Sequence, residues 1–179
     1  MRINTSTIQT GWKIATKTKG LKAKPLISLL ADRTVLNKFL VDTLEGHEPL
    51  GDGAVICIGE SNDAWQQAPK KLLQKYEVKS IDADGWMVCE PRPDNAVNCI
   101  EVTKELIYAA FNTQYPDERM YNLGDFAIAA QWGDNGYPQL GKAIQWGSVG
   151  DFICRNRSDH DDVWIVRRKI FVNTYSIKD

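Results

Sequence analysis

Short apolar runs separated by turn-forming residues make up most of this chain. The runs lie at residues 54–58, 78–81, 86–89, 97–102, 126–130 and 142–146. Segments of this length, bounded by Gly, Pro, Asp or Asn, are typical of buried or half-buried strands. Residues 35–41 are also apolar, but so short a run fits a strand or a helix equally well. The pattern therefore predicts a β-rich protein.

Two segments have the pattern of short amphipathic helices. Pro69 can open a helix, because a proline in the first turn removes no hydrogen bond. Leu72, Leu73 and Tyr76 are then expected on the inner side of that helix. Thr103 is a suitable N-cap for a second helix that follows it. With the strands, these helices predict an α+β, β-rich fold.

One block of the sequence recurs near the end of the chain at a constant spacing of 99 positions. Gly51, Asp52, Trp65 and Tyr76 are matched by Gly150, Asp151, Trp164 and Tyr175. Identical residues of these kinds in one register favour an internal duplication over coincidence. We therefore expect two pseudo-repeated small units, each a strand, loop, strand and short helix, packed against each other.

The repeat also suggests how the chain is divided. Residues 1–24 are expected to form an N-terminal arm or an edge strand, and residues 25–90 the first unit. Residues 91–113 are expected to form a linker and a helix, and residues 114–179 the second unit. The proline-rich stretch after residue 90 supports this boundary.

The repeated pattern resembles the PGDYG-type domain. In the second copy a Gly150-Asp151 turn leads into an apolar strand, then to Asp162-Val163-Trp164, and then to an amphipathic stretch that ends in Tyr175. The resemblance covers about half of the chain in two blocks. It implies two tandem copies of a small domain found in bacterial and phage proteins, and hence an accessory protein. The family brings no established chemistry.

Composition and charge restrict the function classes. The formal net charge of −1 gives no general attraction to nucleic acid or to an anionic membrane. The apolar run at residues 26–30 is far too short to span a bilayer, and the polar N-terminus has no signal-peptide core. We therefore expect a cytoplasmic protein without a membrane partner, and nucleic acid is not an expected ligand.

The cysteines do not form a metal-binding pattern. Cys57, Cys89, Cys99 and Cys154 are isolated from one another, and no C-x-x-C pair occurs. Cys57 and Cys154 lie in apolar runs, where a thiol acts as a small hydrophobic side chain. No metal or cofactor is expected.

The densest polar cluster lies in the second copy and is the candidate ligand-binding site. Its members combine guanidinium groups, an imidazole and an aromatic ring: Arg155, Arg157, His160, Trp164, Arg167 and Arg168. Guanidinium groups make bidentate bonds to phosphate and carboxylate, so this set suits an anion. The alternative is a solvated hairpin tip, because aspartates neighbour the arginines.

The repeat anchors have structural and functional interpretations. Asp52 and Asp151 have two interpretations: each carboxylate either fixes a turn or contacts a ligand. Aspartates that follow a glycine before a strand more commonly fix an Asx-type turn. The paired tryptophans and tyrosines, Trp65, Tyr76, Trp164 and Tyr175, form core contacts or stack on a ligand. For both sets we favour the structural interpretation.

Three functions from different classes follow from these observations. The first is a non-catalytic binding protein that recognises a small anionic ligand, such as a nucleotide, or a protein partner. The second is an enzyme acting on a nucleotide or nucleic acid, with His160 and nearby aspartates as acid and base. The third is an inhibitory protein that acts through a protein–protein face. No nucleotide-binding or metalloprotease motif selects a reaction, and no sequence feature specifies the oligomeric state.

Overall fold

The computed structural model describes residues 2–31, 40–43, 46–49, 53–110, 124–130 and 143–178. Two five-stranded antiparallel sheets, a three-stranded sheet and a hairpin account for most of these residues, with four short α-helices. The prediction of an α+β, β-rich fold is therefore confirmed. The predicted Gly-Asp turn at residues 51–52 lies outside the described residues.

The two large sheets, named sheet I and sheet II, contain ten strands. Sheet I has, in spatial order, β7 (Ala64–Gln67), β6 (Val55–Gly59), β3 (Leu21–Pro25), β9 (Met87–Pro91) and β8 (Tyr76–Ile81). Sheet II has, in spatial order, β14 (Val163–Val166), β13 (Phe152–Asn156), β10 (Ala96–Glu101), β2 (Lys13–Lys17) and β15 (Tyr175–Lys178).

The smaller elements accompany these sheets. Sheet III consists of β1 (Arg2–Ile3), β11 (Phe126–Ala130) and β12 (Ala143–Gly147), and β4 (Leu40–Thr43) pairs with β5 (Gly46–Pro49). The α-helices are α1 (Leu26–Ala31), α2 (Pro69–Lys75), α3 (Lys104–Ala109) and α4 (Arg168–Thr174), and Thr5–Thr7 forms a 3-10 turn. Thr103 caps α3 as predicted, since its hydroxyl accepts a hydrogen bond from the Leu106 amide.

Sheets I and II have the same spatial order of strands, and their registers match up to a bulge between Val78 and Ser80 of β8 that β15 lacks. In the central strand of sheet I, Ala23 pairs with Cys57 on one side and with Met87 on the other. In the central strand of sheet II, Cys99 pairs in the same way with Cys154 and Lys13. In each sheet the second helix leads directly into an outer strand, which starts at Tyr76 or Tyr175. The correspondence therefore extends across all five strands.

β2 completes sheet II from the opposite end of the chain. It lies between β10 and β15, in the place that β9 occupies between β3 and β8. The segment is therefore an interior strand, where an arm or an edge strand was expected, because β15 and β10 both leave an unpaired side for it. Likewise β10, within the range expected to be linker and helix, is the central strand of sheet II.

A Gly-Trp pair precedes each of these corresponding strands. Gly11 and Gly85 have φ angles of 86° and 79°, a region that a glycine enters without steric cost. Trp12 and Trp86 follow them and pack against the cores on the same side of their sheets. This correspondence was not predicted, because its spacing differs from that of the repeat at residues 51–76.

The spacing of 99 positions holds for only part of the likeness between the two sheets. It relates β7, α2 and the start of β8 to β14, α4 and β15. In the preceding strands Cys57 faces Trp65 and Cys154 faces Trp164, so these strands are 97 positions apart. The reason is that the loop before β14 is two residues longer than the loop before β7. Gly53, with a φ of 70°, thus takes the place of Gly150, with a φ of 95°.

Each large sheet has a core on both faces. One face of sheet II packs against sheet III and α3, and its other face packs against α4 through a ring stack of Phe152, Phe171 and Tyr175. α2 packs against a face of sheet I through Leu72, which lies in one apolar cluster with Tyr76 of β8. In the described part of the chain, none of the helices has the length and apolar character needed to cross a membrane.

Candidate functional site

The arginines predicted to bind a ligand make separate contacts within the fold. The Arg155 guanidinium lies 3.9 Å from the centre of the Trp12 ring, and burial lowers its pKa. Its Nε atom is buried without a hydrogen-bond partner. Arg155 therefore stacks on the face of sheet II, on the strand that precedes the polar loop.

Asp151 organises the turn that precedes β13. Its carboxylate accepts hydrogen bonds from the Ser148 amide at 2.8 Å, the Arg168 amide at 2.8 Å and the Arg167 guanidinium at 3.0 Å. Arg168 also forms an ion pair with Glu101. These contacts are those of a turn-fixing carboxylate. Its predicted counterpart Asp52 lies outside the described residues.

Arg157 and His160 are exposed on the loop between β13 and β14. Two short Asx-type turns shape this loop, because the side chains of Asn156 and Asp159 accept hydrogen bonds from the amides of Ser158 and Asp161. Within residues 143–178, no carboxylate lies within ion-pair distance of His160. His160 therefore has no orienting carboxylate within that part of the chain.

The four aromatic anchors pack against the cores. Tyr76 is buried, and Trp65, Trp164 and Tyr175 are partly buried against the apolar clusters of their own sheets. Burial raises the pKa of both tyrosines. Trp164 and Tyr175 each also contact a lysine.

A group of charged residues lies where α2 meets the loop that precedes β14. This lysine cluster consists of Lys17, Lys71, Lys75, Asp63 and Asp162. Its inner ion pair joins Lys71 Nζ to Asp162 Oδ1 at 2.8 Å, and both side chains are almost fully buried, with exposures of 9% and 1%. Asp162 also accepts a long hydrogen bond of 3.4 Å from Asn156.

The other two lysines lie over aromatic rings. Lys75 Nζ is 4.5 Å from the centre of the Trp164 ring, and Lys17 Nζ is 4.4 Å from the centre of the Tyr175 ring. Lys17 also donates a hydrogen bond of 3.2 Å to the Thr174 hydroxyl. Among the described residues, no carboxylate oxygen lies within ion-pair distance of Lys17 or Lys75.

The surroundings of Lys17 and Lys75 lower the pKa of both ammonium groups. Burial lowers the pKa of Lys17 to about 8, with a further contribution from the positive charge of Lys75, while Asp63 and Glu60 oppose the shift. Burial also lowers the pKa of Lys75, and the Lys71 charge adds to this, while Asp162 opposes it. The cluster therefore holds more positive charge than its two carboxylates compensate.

The ion pair between Lys71 of α2 and Asp162 has no counterpart between α4 and Asp63. Asp63 corresponds to Asp162, but the α4 residue that corresponds to Lys71 is Ile170. Asp63 Oδ1 is buried without a hydrogen-bond donor and packs against Gly59, where an added Cβ would lie 2.3 Å from it. The cluster is therefore asymmetric within a symmetric pair of sheets.

Sequence reasoning missed this cluster because it oriented α2 incorrectly. Leu73 was expected on the inner side but is 53% exposed, while Lys71 is only 7% exposed. The hydrophobic pattern alone gives Leu73 the inner position. The ion pair with Asp162, which is distant in sequence, makes the burial of Lys71 possible. The available signal was the spacing of Lys71 and Lys75, which places them on one face of a helix.

The described residues hold no group of three or more His, Cys, Asp or Glu side chains that suits a metal ion. All four cysteines are buried free thiols, and burial raises the pKa of Cys57 to about 12 and that of Cys99 to about 11. This confirms the prediction that Cys57 and Cys154 act as small apolar side chains. No protein-family model, curated protein or solved structure matches this chain.

Proposed function

We propose that the protein is a non-catalytic binding protein for a small anionic ligand, and that the lysine cluster supplies the binding charge. The observation that carries this proposal is the position of Lys17 and Lys75. Both ammonium groups lie over aromatic rings, and neither has a carboxylate within ion-pair distance among the described residues. A bound anion would compensate the positive charges of these two ammonium groups.

The energetic argument follows from the cost of partly burying positive charge. Desolvation and mutual repulsion lower the pKa of Lys17 and Lys75, so the free protein is destabilised by keeping both protonated. A bound phosphate or carboxylate would stabilise the protonated lysines and gain charge-assisted hydrogen bonds. The neighbouring rings of Trp164 and Tyr175 offer apolar surface for a base or a sugar.

The likeness of sheets I and II supports a proposal about origin. We propose an internal duplication of a PGDYG-like unit, in which β2 closes the second copy from the start of the chain. Equal strand orders and matching registers support the duplication. The assignment to the family, a bacterial or phage accessory role, and a cytoplasmic location rest on the sequence resemblance and composition.

A protein partner is the second candidate, favoured by exposed apolar residues on the repeated helices. Leu73 of α2 and Val172 of α4 occupy corresponding positions and are 53% and 57% exposed. Neither side chain belongs to the apolar clusters that the described residues form on sheets I and II. An enzyme with His160 as acid or base gains no such support, since no described carboxylate orients that imidazole.

A thermal-shift screen with charge-matched variants tests the anion proposal. Inorganic phosphate, AMP, ATP and cyclic nucleotides should include one that raises the melting temperature, because a ligand at a hundred times its Kd adds about 2.7 kcal/mol of stability. Lys75→Met should remove that shift. Lys70→Met, an exposed lysine on the same helix, is the control for lost charge and should retain it.

A further variant locates the site. Arg157 is an exposed arginine on the loop before β14, so Arg157→Ala tests that location without disturbing the contacts of Arg155 or Arg167 with the fold. Loss of the shift in Arg157→Ala but not in Lys75→Met would move the site to the loop before β14. Absence of any anion-dependent shift in the wild type would reject anion binding.

A further inference from the structure

We infer that Cys99 and Cys154 form a redox-sensitive pair, which an oxidant of the hydroperoxide class converts into a disulfide that links β10 to β13 within sheet II. Both side chains are free thiols, and the two residues are direct cross-strand partners. The inference assigns a modification site to the protein and does not depend on the binding of an anion at the lysine cluster.

The register of sheet II makes Cys99 and Cys154 a pair without mutual backbone hydrogen bonds. In antiparallel strands, the amide and carbonyl of every second residue point towards the same neighbouring strand. The Asn156 amide donates to the Asp162 carbonyl at 2.9 Å, so the backbone groups of Cys154, two residues before Asn156, also face β14. They therefore point away from β10, and Cys154 meets Cys99 at a non-hydrogen-bonded position.

Side chains approach each other most closely at such a position. The Cα atoms of a non-hydrogen-bonded pair are about 4.5 Å apart, whereas those of a hydrogen-bonded pair are about 5.5 Å apart. A disulfide joins residues whose Cα atoms are about 4.4–6.8 Å apart. Cys99 and Cys154 also lie in one apolar cluster, so both thiols project from the same face of the sheet. The bond can therefore form without separating the two strands.

The two cysteines of sheet I serve as an internal control. Cys57 lies beside Ala23 on one side of β3, and Cys89 lies beside Leu21 on the other side. Two strand spacings, about 10 Å in total, separate them, and a disulfide does not span more than about 7 Å between Cα atoms. Ala23 occupies the position in sheet I that Cys99 has in sheet II.

Burial determines when the pair reacts. Cys99 and Cys154 are 1% and 0% exposed, and burial raises the pKa of both thiols, so they stay protonated and unreactive while they are covered. Ile170 and Phe171 of α4 lie in the same apolar cluster. Local opening of this seven-residue helix uncovers the thiols without unfolding the sheet, and oxidation is limited by that opening.

The chemical step is balanced by the oxidant. Hydrogen peroxide oxidises one thiol to a sulfenic acid and releases one water. The sulfur of the second thiol attacks the sulfenic sulfur, the S–S bond forms, and the sulfenic hydroxyl group leaves with the thiol proton as a second water. Two thiols and one peroxide thus give one disulfide and two waters, and two electrons pass from sulfur to the peroxide oxygens.

Differential alkylation tests the inference. The protein is treated with hydrogen peroxide, both in buffer and in urea just below its unfolding transition. It is then treated with catalase, alkylated in denaturant and digested without a reductant. Peptide mass spectrometry should find Cys99 linked to Cys154, with Cys57 and Cys89 alkylated. Urea should accelerate the linkage several-fold because it favours local opening, and dithiothreitol should restore all four thiols.

Two variants provide the controls. Oxidation should raise the urea midpoint of the wild type, because the bond closes a loop of about 55 residues, and Cys154→Ala should lack both this rise and any linkage of Cys99. Ala23→Cys should gain a second disulfide at Cys57, because Ala23 faces Cys57 as Cys99 faces Cys154.

Four results would overturn the inference. They are a different pairing in the wild type, oxidation of Cys57 and Cys89 as fast as that of Cys99 and Cys154, no linkage in either buffer or urea, and a folded Ala23→Cys protein without a link at Cys57. Circular dichroism shows whether the variants fold. The wild-type comparison of the two pairs of cysteines needs neither variant.

Discussion

Sheets I and II have the same spatial order of strands but differ in the charged side chains around them. In the half that contains sheet II, Asp162 is buried and holds Lys71 at 2.8 Å. In the half that contains sheet I, the corresponding Asp63 has a buried oxygen without a donor. The residue of α4 that corresponds to Lys71 is Ile170, which packs on sheet II. The registers that position these residues are the same in both sheets.

The difference shows that the backbone and the polar cluster are determined separately. Strand pairing depends on the hydrophobic side of each strand and on a few turns, and both halves keep these. A buried charge needs a partner from elsewhere in the fold, and only one half supplies it. The candidate site is therefore a product of the asymmetry between the halves.

The largest expected effect is on the free energy of unfolding, when replacement of Asp162 is compared with replacement of Asp63. Asp162→Ala leaves the Lys71 ammonium buried without its carboxylate and should lower the free energy of unfolding by about 3–5 kcal/mol. Asp63→Ala should cost about 1 kcal/mol or less, since no described donor bonds to its Oδ1. Urea denaturation followed by circular dichroism measures both.

A double variant provides the control for this pair. Lys71→Met combined with Asp162→Leu removes both charges and should recover most of the loss, because an apolar pair of similar size replaces the ion pair. If Asp162→Ala and Asp63→Ala lowered the free energy of unfolding equally, the ion pair of Asp162 with Lys71 would make no difference to stability, contrary to this prediction.

The second test compares Trp12 with Trp86. Both are partly buried, so replacement by Ala should cost about 2–3 kcal/mol, below the value for a fully buried tryptophan. Trp12→Ala should cost more, because Arg155 lies 3.9 Å from its ring, against 5.6 Å from Lys24 to Trp86, and its indole N–H donates to the Ile8 carbonyl. Thermal unfolding of the two variants ranks them, and a larger loss in Trp86→Ala would contradict this account.

The third test compares the glycines that precede these tryptophans. Gly11→Ala and Gly85→Ala each force a side chain into positive φ, at a cost of about 1–2 kcal/mol. Gly11→Ala should cost more, since its new Cβ would lie 3.1 Å from Ile100 Cδ1, whereas at Gly85 the nearest atom is 3.8 Å away. Denaturant midpoints compare the variants, and a stabilised variant at either site would show that the turn geometry is incorrect.

The smallest expected effect is the pH dependence caused by Lys17. Its folded-state pKa of about 8 lies below the ordinary 10.5, so between these values the unfolded chain binds more protons. This group's contribution to stability therefore increases as the pH rises from about 8, by no more than about 1 kcal/mol up to pH 9. Lys17→Met should lack that increase in chemical denaturation.

The comparison with Lys17→Met is needed because other groups act in the opposite direction at higher pH. Burial raises the pKa of Cys57 to about 12, so above pH 9 the unfolded chain loses protons that the folded chain keeps, and stability falls. This effect is common to wild type and variant. Parallel pH profiles for the two proteins between pH 8 and 9 would contradict the environment described for Lys17.

Local sequence determined the secondary structure and much of the pairing. Pro69 and Thr103 define the starts of helices through chemistry confined to a few residues, and the structure has both as predicted. The short apolar runs correctly indicated a β-rich fold because strand burial repeats along the chain itself. Trp65 and Trp164, which are 99 positions apart, lie on β7 and β14, the strands that precede α2 and α4.

Only the tertiary structure decided where β2 and the lysine cluster lie. β2 joins sheet II because β15, more than 150 residues later, offers it an unpaired edge, and no local pattern encodes such a partner. Lys71 is buried because Asp162 meets it, although the helix pattern alone gave the inner position to Leu73. Burial of a charge and closure of a sheet both depend on groups far apart in sequence, so they are fixed only when the chain has folded.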